Sequence, residues 1–283
     1  LVIDVERGNV VKANRFGYVK RAFHGTTPLG YERQRDEYQR TLVDLGEDRW
    51  HFLNTLFSIS SACMYMQLVD LLDADALEGS MGYTDLWERV QHTLDEAHME
   101  GRLKEAIVQH PERFVDLDPQ MPLTLLDQKR AGKKLLLITN SEWSYAQPML
   151  AYAFNGFLPD DMTWRDLFDL SIVGARKPDF FSVDMPAFRI ERDDGLLREH
   201  KNGPLEEDSV YVGGNAPLVE RTLGLRGEEI LYVGDHLFVD VNVSTKVLRW
   251  RTALVVRELE QEIEAFRSFA DRQARLSRPM EQK

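Results

Sequence analysis

The sequence predicts an α/β protein: a doubly wound parallel sheet with a mostly helical insert ahead of it. Between residues 134 and 256, short apolar runs rich in leucine and β-branched residues end abruptly in polar or glycine-containing loops. Helix-length stretches separate them. Residues 32–110 instead carry apolar residues at mixed three- and four-residue spacing, with no strand pattern of their own. The composition, 43% hydrophobic and 29% charged over 283 residues, is that of a folded chain of about two domains.

From residue 1 to about 24, β-branched residues flank Arg7-Gly8-Asn9 and Asn14-Arg15-Phe16-Gly17, which predicts two short strands joined by a glycine-containing turn. We assign residues 1–30 to a hairpin at the edge of the core and 31–118 to a helical cap, where Leu86, Val90, Leu94 and Ala97 form one apolar stripe. Residues 119–257 form the α/β core. A helix around Leu123–Gln128 leads into the run ending at Ile138, then Thr139-Asn140-Ser141. Leu170–Val173 runs into Gly174-Ala175-Arg176-Lys177-Pro178, Ser209–Val212 into Gly213-Gly214-Asn215, and Glu229–Val233 into Gly234-Asp235-His236. Thr252–Val256 is the last strand, and residues 258–283 are a charged helical tail suited to subunit contacts, so a homo-oligomer is one reading.

Lys plus Arg number 35 against 47 Asp plus Glu, a net charge of −12. Nucleic acid and anionic membrane are repelled at long range by such a chain, so an anionic substrate needs a local cation cluster or a metal ion. No apolar window is long enough to span a bilayer. Cys63 is the single cysteine, which excludes an internal disulfide and a cysteine zinc site and fits a reducing cytoplasm. The opening Leu1-Val2-Ile3-Asp4 has neither a Met nor a signal peptide, and we read the chain as a fragment.

Function in doubly wound sheets gathers past the carboxyl ends of the strands. There, Thr139, Asn140 and Ser141 offer hydroxyls and N–H groups to phosphate oxygens, especially if a helix begins at Ser141, and Lys177 adds a positive charge. Asp235 and Asp240 place two carboxylates across a strand-to-helix turn, an oxygen set suited to Mg²⁺ shared with a phosphate. Each piece alone has a plainer reading: a helix cap for Thr139-Asn140-Ser141 and for Asp235, a solvated loop cation for Lys177, a helix-dipole partner for Asp240. Their joint order, one loop after another, is what points to an electrostatic clamp for phosphoryl transfer.

The succession LLLITNS (135–141), ARKPDFF (175–181), ILYVGDHLFVDV (230–241) and WRTALVVREL (250–259) resembles motifs two to four of the haloacid dehalogenase superfamily. More narrowly, the chain is similar to the cytosolic purine 5′-nucleotidases. GNVVKANRFGYVKRAFHG, FLNTLF, LVDLLD, HMEGRLKE and YVGGN extend the likeness over nearly the whole chain. The resemblance implies a haloacid-dehalogenase core and a Mg²⁺-dependent hydrolase of nucleoside 5′-monophosphates working through an aspartyl-phosphate. Thr139, Asn140 and Ser141 would cradle the phosphate, Lys177 would neutralise it, Asp235 would ligate Mg²⁺, and Asp240 would position the metal or its water. Phe57 would stack on the base, and Asp95, His98 and Lys104 would contact the nucleotide. From the residues alone, Phe57 reads more readily as core than as a stacking platform and His98 equally as a surface residue, while Gly101 suits a helix break that turns Lys104.

The resemblance fails at one place. The family's D-x-D-x-[TV] strand, source of the nucleophile, has no counterpart here. Asp116-Leu117-Asp118-Pro119 and Asp73-Ala74-Asp75-Ala76 lack the following Thr or Val and lie outside the required strand, and Asp4 falls downstream of that motif. This chain alone is therefore expected to be inactive. Gln91 stands where purine enzymes carry an arginine. Asn54 and Lys246 match effector positions, whereas Asp44 replaces a basic residue. The alternatives are a non-catalytic nucleotide-binding member of the family and a phosphatase for another small phosphate ester.

Overall fold

In the computed structural model the backbone is described for all residues except 54–57, 100, 193, 237–239, 241–243, 245–247, 258, 282 and 283. The side chains of 98, 99, 271 and 274–281 are also left aside. The chain packs as two compact units, Leu1–Arg102 and Leu103–Lys283.

The first unit is an antiparallel five-stranded sheet with helices. Its strands are β1 (Val2–Asp4), β2 (Asn9–Ala13), β3 (Val19–His24), β4 (Thr27–Pro28) and β5 (Trp50–Phe52), in the order β4-β3-β2-β1-β5. Alternation along the strands gives the sheet two apolar faces. Ile3 and Val10, paired across β1 and β2, pack with Ala62, Tyr65 and Val69 of α2 (Ile59–Asp73) and with Leu86 and Trp87 of α3 (Tyr83–Met99). Val2 and Val11, also paired, face the other way, toward Trp50 and toward Tyr38 of α1 (Tyr31–Tyr38). The two-strand expectation for residues 1–24 is corrected to three strands, with β4 beyond them. The expectation of a mostly helical 31–118 with no strand pattern of its own is corrected by β5, which pairs with β1 through Ile3 and His51. A three-residue strand is too short to display a period of two.

A buried carboxylate holds this unit together. Asp4, at the end of β1 and fully buried, receives Arg49 Nε on Oδ1 (2.8 Å) and Arg49 Nη2 on Oδ2 (2.6 Å), with Tyr38 O–H donating to Oδ2 at 2.8 Å. Burial, then the Asp4 charge, pushes the Tyr38 phenol far up, so it remains a donor, while Asp4 raises the Arg49 guanidinium. Asn9 Nδ2 donates to Tyr38 (2.7 Å), His24 Nδ1 meets Asn9 Oδ1 (2.7 Å), and His24 Nε2 meets Asp73 (2.7 Å).

The second unit begins within α4 (Arg102–Gln109) and continues through α5 (Gln120–Arg130). Its main sheet has the order β6-β7-β10-β8-β9: β6 (Leu136–Ile138), β7 (Leu170–Val173), β10 (Ser209–Gly213), β8 (Ala187–Ile190) and β9 (Leu197–Glu199). β6, β7 and β10 are parallel, whereas β8 and β9 are antiparallel. A separate parallel pair joins β11 (Leu231–Gly234) to β12 (Arg251–Leu254). All five core strands read from the sequence are present, but the wholly parallel sheet is corrected. The stretch between β7 and β10 folds into an antiparallel ribbon, and β11 is not hydrogen-bonded to β6, β7 or β10.

Both faces of the main sheet are covered. Leu170, Ile172 and Tyr211 pack with Phe180, Phe181, Tyr232 and Trp250 on one face. Val173, Val210 and Val212 pack with Leu126, Trp143 and Trp164 on the other, where α6 (Trp143–Phe154) lies. Tyr232 and Trp250 tie the β11–β12 pair to the first face, with Phe181 edge-on to both at 5.3 and 6.0 Å. The terminal helix Leu259–Glu281 is different, since every described side chain from Leu259 to Gln273 is exposed.

At the entry to the sheet, Leu135 N–H donates to Asp169 Oδ2 (2.8 Å), and Lys134 and Lys129 flank Oδ1 at 3.3 and 3.7 Å. Burial raises the Asp169 carboxyl, but Leu135 N–H and the lysines more than offset it and hold it below the ordinary carboxylate range. A lowered folded value means that this group's stabilisation is present above about pH 4 and is lost as the pH falls through that value. Asp169→Asn is expected to lower unfolding free energy by about 1–2 kcal/mol at neutral pH, with the difference vanishing in acid. Urea titrations of both proteins across pH 3–7 check this.

Candidate active site

Because β6, β7 and β10 run parallel, the loops after them emerge at one edge of the sheet. The loop after β6 is stitched to the loop after β7. Thr139 N–H donates to Ile172 O (2.9 Å), Ala175 N–H to Thr139 O (3.0 Å), and Gly174 N–H to Ser141 O (2.8 Å). Thr139 Oγ1 accepts from Ser141 N–H at 3.1 Å. The Asn140 amide closes the join from both sides, accepting from Lys177 N–H at 2.6 Å and donating to Lys177 O at 3.1 Å. Asn140 thus fixes the backbone of Lys177. Helix α6 starts at Trp143 with Glu142 as its N-cap, two residues later than a start at Ser141.

The Lys177 ammonium crosses to the second strand pair. Its Nζ donates to Tyr232 O–H at 2.9 Å and to Asp240 Oδ1 at 3.1 Å, with 14% of the lysine side chain and 3% of the aspartate's exposed. Tyr232 O–H in turn donates to Asp240 Oδ1 at 3.3 Å. Burial, then the Asp240 charge, pushes this phenol far up, so Tyr232 stays protonated between the two charges. Asp240 Oδ2 accepts from His236 N–H (3.1 Å), closing the turn after β11. Gly234 leaves the room for this. A Cβ there would lie 2.4–2.5 Å from the Asp240 side chain, so any larger residue would displace the carboxylate.

Asp235 is exposed beside this knot, with no hydrogen bond among the described residues. Lys104, on α4, lies 4.0 Å from Glu142 and 5.9 Å from the Tyr145 ring centroid, and so abuts the start of α6. In the first unit, Asp95 is exposed on α3, which ends at Met99 before Gly101 at φ +75°. Gln91, one turn earlier, buries its Nε2 without an acceptor among the described residues. Phe57, Asn54, Lys246 and the His98 side chain lie outside the described residues. The structure therefore brings Thr139, Asn140, Ser141, Lys177 and Asp240 together and adds Tyr232, which sequence reasoning missed because a tyrosine on an apolar strand reads as core.

Neither of the other D-x-D positions is a free carboxylate pair on a strand. Asp116 is a surface partner of Arg257 (2.7 Å), and Asp73 is held by His24 and Tyr83 at the end of α2. No group of three or more His, Cys, Asp or Glu suited to a metal occurs among the described residues.

The model of the 5′ nucleotidase family matches residues 1–283. The chain belongs to the 5′ nucleotidase family. Among curated proteins, this family member is 29% identical over 274 residues to 5′-nucleotidase domain-containing protein 2 of Homo sapiens. That match covers 92% of the chain and 51% of the relative, so the chain spans about half the length of that protein.

Removing one partner of a buried ion pair strands the other charge. In this 5′ nucleotidase family member, Asp240→Ala is expected to cost about 3 kcal/mol of stability and Tyr232→Phe about 1 kcal/mol. Chemical denaturation of the two variants tests the ranking, and equal losses would deny the ion pair its leading part.

Proposed function

We propose that the chain is the greater part of a Mg²⁺-dependent 5′-nucleotidase of the haloacid dehalogenase type, hydrolysing nucleoside 5′-monophosphates, purine nucleotides foremost, in the cytoplasm. The observation that supports this reading is the join of the Thr139–Ser141 loop to Lys177 and of the Lys177 ammonium to Tyr232 and Asp240, beside the exposed Asp235 that follows β11. Thr139 and Ser141 present hydroxyls to phosphate oxygens, with Asn140 setting the position of Lys177. The lysine, already desolvated, places a positive charge beside the phosphate. Phe57, Asp95, His98 and Lys104 supply the base and ribose contacts in this reading.

The donor set suits Mg²⁺ in part. Asp235 is a hard oxygen donor with no competing partner among the described residues, and Mg²⁺ commonly takes one or two carboxylates together with water and substrate phosphate. Asp240, engaged by Lys177, Tyr232 and His236 N–H, would position that ligand through the turn they share. When bound, the ion supplies further charge neutralisation at the phosphate.

The nucleophile in this proposal is a carboxylate outside these 283 residues, carried by a strand ending in D-x-D-x-[TV]. Its oxygen attacks phosphorus as the P–O5′ bond breaks and the nucleoside oxygen takes a proton. Water then attacks phosphorus and frees phosphate and the carboxylate. A place for such a strand is supported by β11, which pairs on one edge only and turns Leu231 and Val233, each 57% exposed, away from the core. The engagement of Asp240 and the missing motif favour a second reading, a member of the family that binds nucleotides without hydrolysing them.

In a protein that joins this chain to a strand bearing that motif, Asp235→Asn is expected to reduce Mg²⁺-dependent phosphate release from nucleoside monophosphates by about 10³-fold or more. A colorimetric phosphate assay over nucleotides and sugar phosphates decides. Near-normal turnover in the variant would refute the metal assignment, nucleotide affinity without any release would favour the binding reading, and preference for a sugar phosphate would move the substrate class.

A further inference from the structure

Away from the Lys177 knot, the second unit contains a cavity of about 470 Å³ between the segment 184–187, the loop 200–204 and α7 (Ala216–Leu223). That is the volume range of small-molecule sites. Its walls are pinned. Asn215, buried, donates from Nδ2 to Asp184 Oδ1 (2.8 Å) and Met185 O (3.0 Å), while its Oδ1 caps α7 by accepting from Leu218 N–H (2.9 Å). Gly214 N–H donates to Pro186 O (2.9 Å) and His200 N–H to Ala187 O (2.9 Å). Gly213, at φ +77°, allows the close approach, since a Cβ there would lie 2.8 Å from Pro186 O. The His200 ring is edge-on to Tyr211 at 5.8 Å, its Nε2 3.1 Å from Gly203 O. A cavity held on so many sides keeps its shape without a ligand.

The lining carries two cations against one carboxylate. Lys201 and Arg221 both line the cavity, and neither has an ion-pair partner among the described residues. The one carboxylate in the lining, Asp184, accepts from Asn215 on Oδ1 and keeps its negative charge, so the lining is net positive by one. Two cations without an ion-pair partner, from different elements of a pre-formed cavity, one a planar guanidinium and the other a mobile ammonium, suit a compact oxyanion.

We propose that this cavity binds a small phosphate monoester, with Lys201 and Arg221 gripping its phosphate. The site uses none of the residues of the candidate active site and does not rest on the chain's proposed hydrolytic role. The test uses 5′-AMP as probe, with adenosine as the uncharged control, in calorimetric titrations of the chain carrying Thr139→Val, which weakens the other phosphate site. One saturable 5′-AMP event is expected, absent for adenosine, and Lys201→Ala/Arg221→Ala in the same background is expected to weaken it about tenfold or more. Both side chains are exposed, and circular dichroism verifies that the double variant retains its fold. Absence of saturation at millimolar 5′-AMP, equal binding of adenosine, or a smaller effect of the double variant would overturn the proposal.

Discussion

The second unit depends on the ion pair between Lys177 and Asp240, because it ties together two pieces of sheet that share no backbone hydrogen bond. Lys177 belongs to the loop after β7, Asp240 to the turn after β11, and Tyr232 on β11 bridges them. Taking two charges out of water is costly, and the geometry offsets it only when the remaining donors and acceptors are also met. Here most are: Tyr232 accepts from the ammonium and donates to the carboxylate, and His236 N–H serves the other oxygen. Asn140 sets the lysine backbone and Gly234 leaves space for the aspartate, so the pair draws four loops and strands into one arrangement.

The first unit solves the same problem with another buried carboxylate. Asp4 is fully enclosed and satisfied by a two-pronged guanidinium and a phenol, and the network runs on through Asn9 and His24 to Asp73. Each member restrains a different element: β1, the loop before β5, α1, β2, β3 and α2. Hydrophobic contact on the two faces of that sheet is non-directional, whereas this polar chain fixes which strand lies beside which.

Strands that end abruptly in glycine or polar residues were legible because burial on both faces requires a continuous apolar run. Leu170–Val173 is the clearest case, with all four residues buried and Gly174 following at once. β8 and β9 were illegible since Arg189, Arg198 and Glu199 interrupt runs of three or four residues, too few for alternation to show. At the site, Lys177 and Asp240 were visible as charged residues in strand-end loops, but their mutual contact spans 63 positions and no local pattern encodes it. Asn140 shows the same limit: its residue type suits a phosphate cradle, yet its side chain is spent on the Lys177 backbone.

The terminal helix Leu259–Glu281 follows a different physics from the rest. Its 23 residues carry Leu259, Ile263, Phe266 and Phe269 toward solvent, and no described side chain up to Gln273 is buried. Tertiary packing normally supplies most of a helix's stability, and a solitary helix in water is marginal even when its propensities are good. A helix so exposed along its described side chains is expected to melt over a broad range and to exchange its amides before the sheets open.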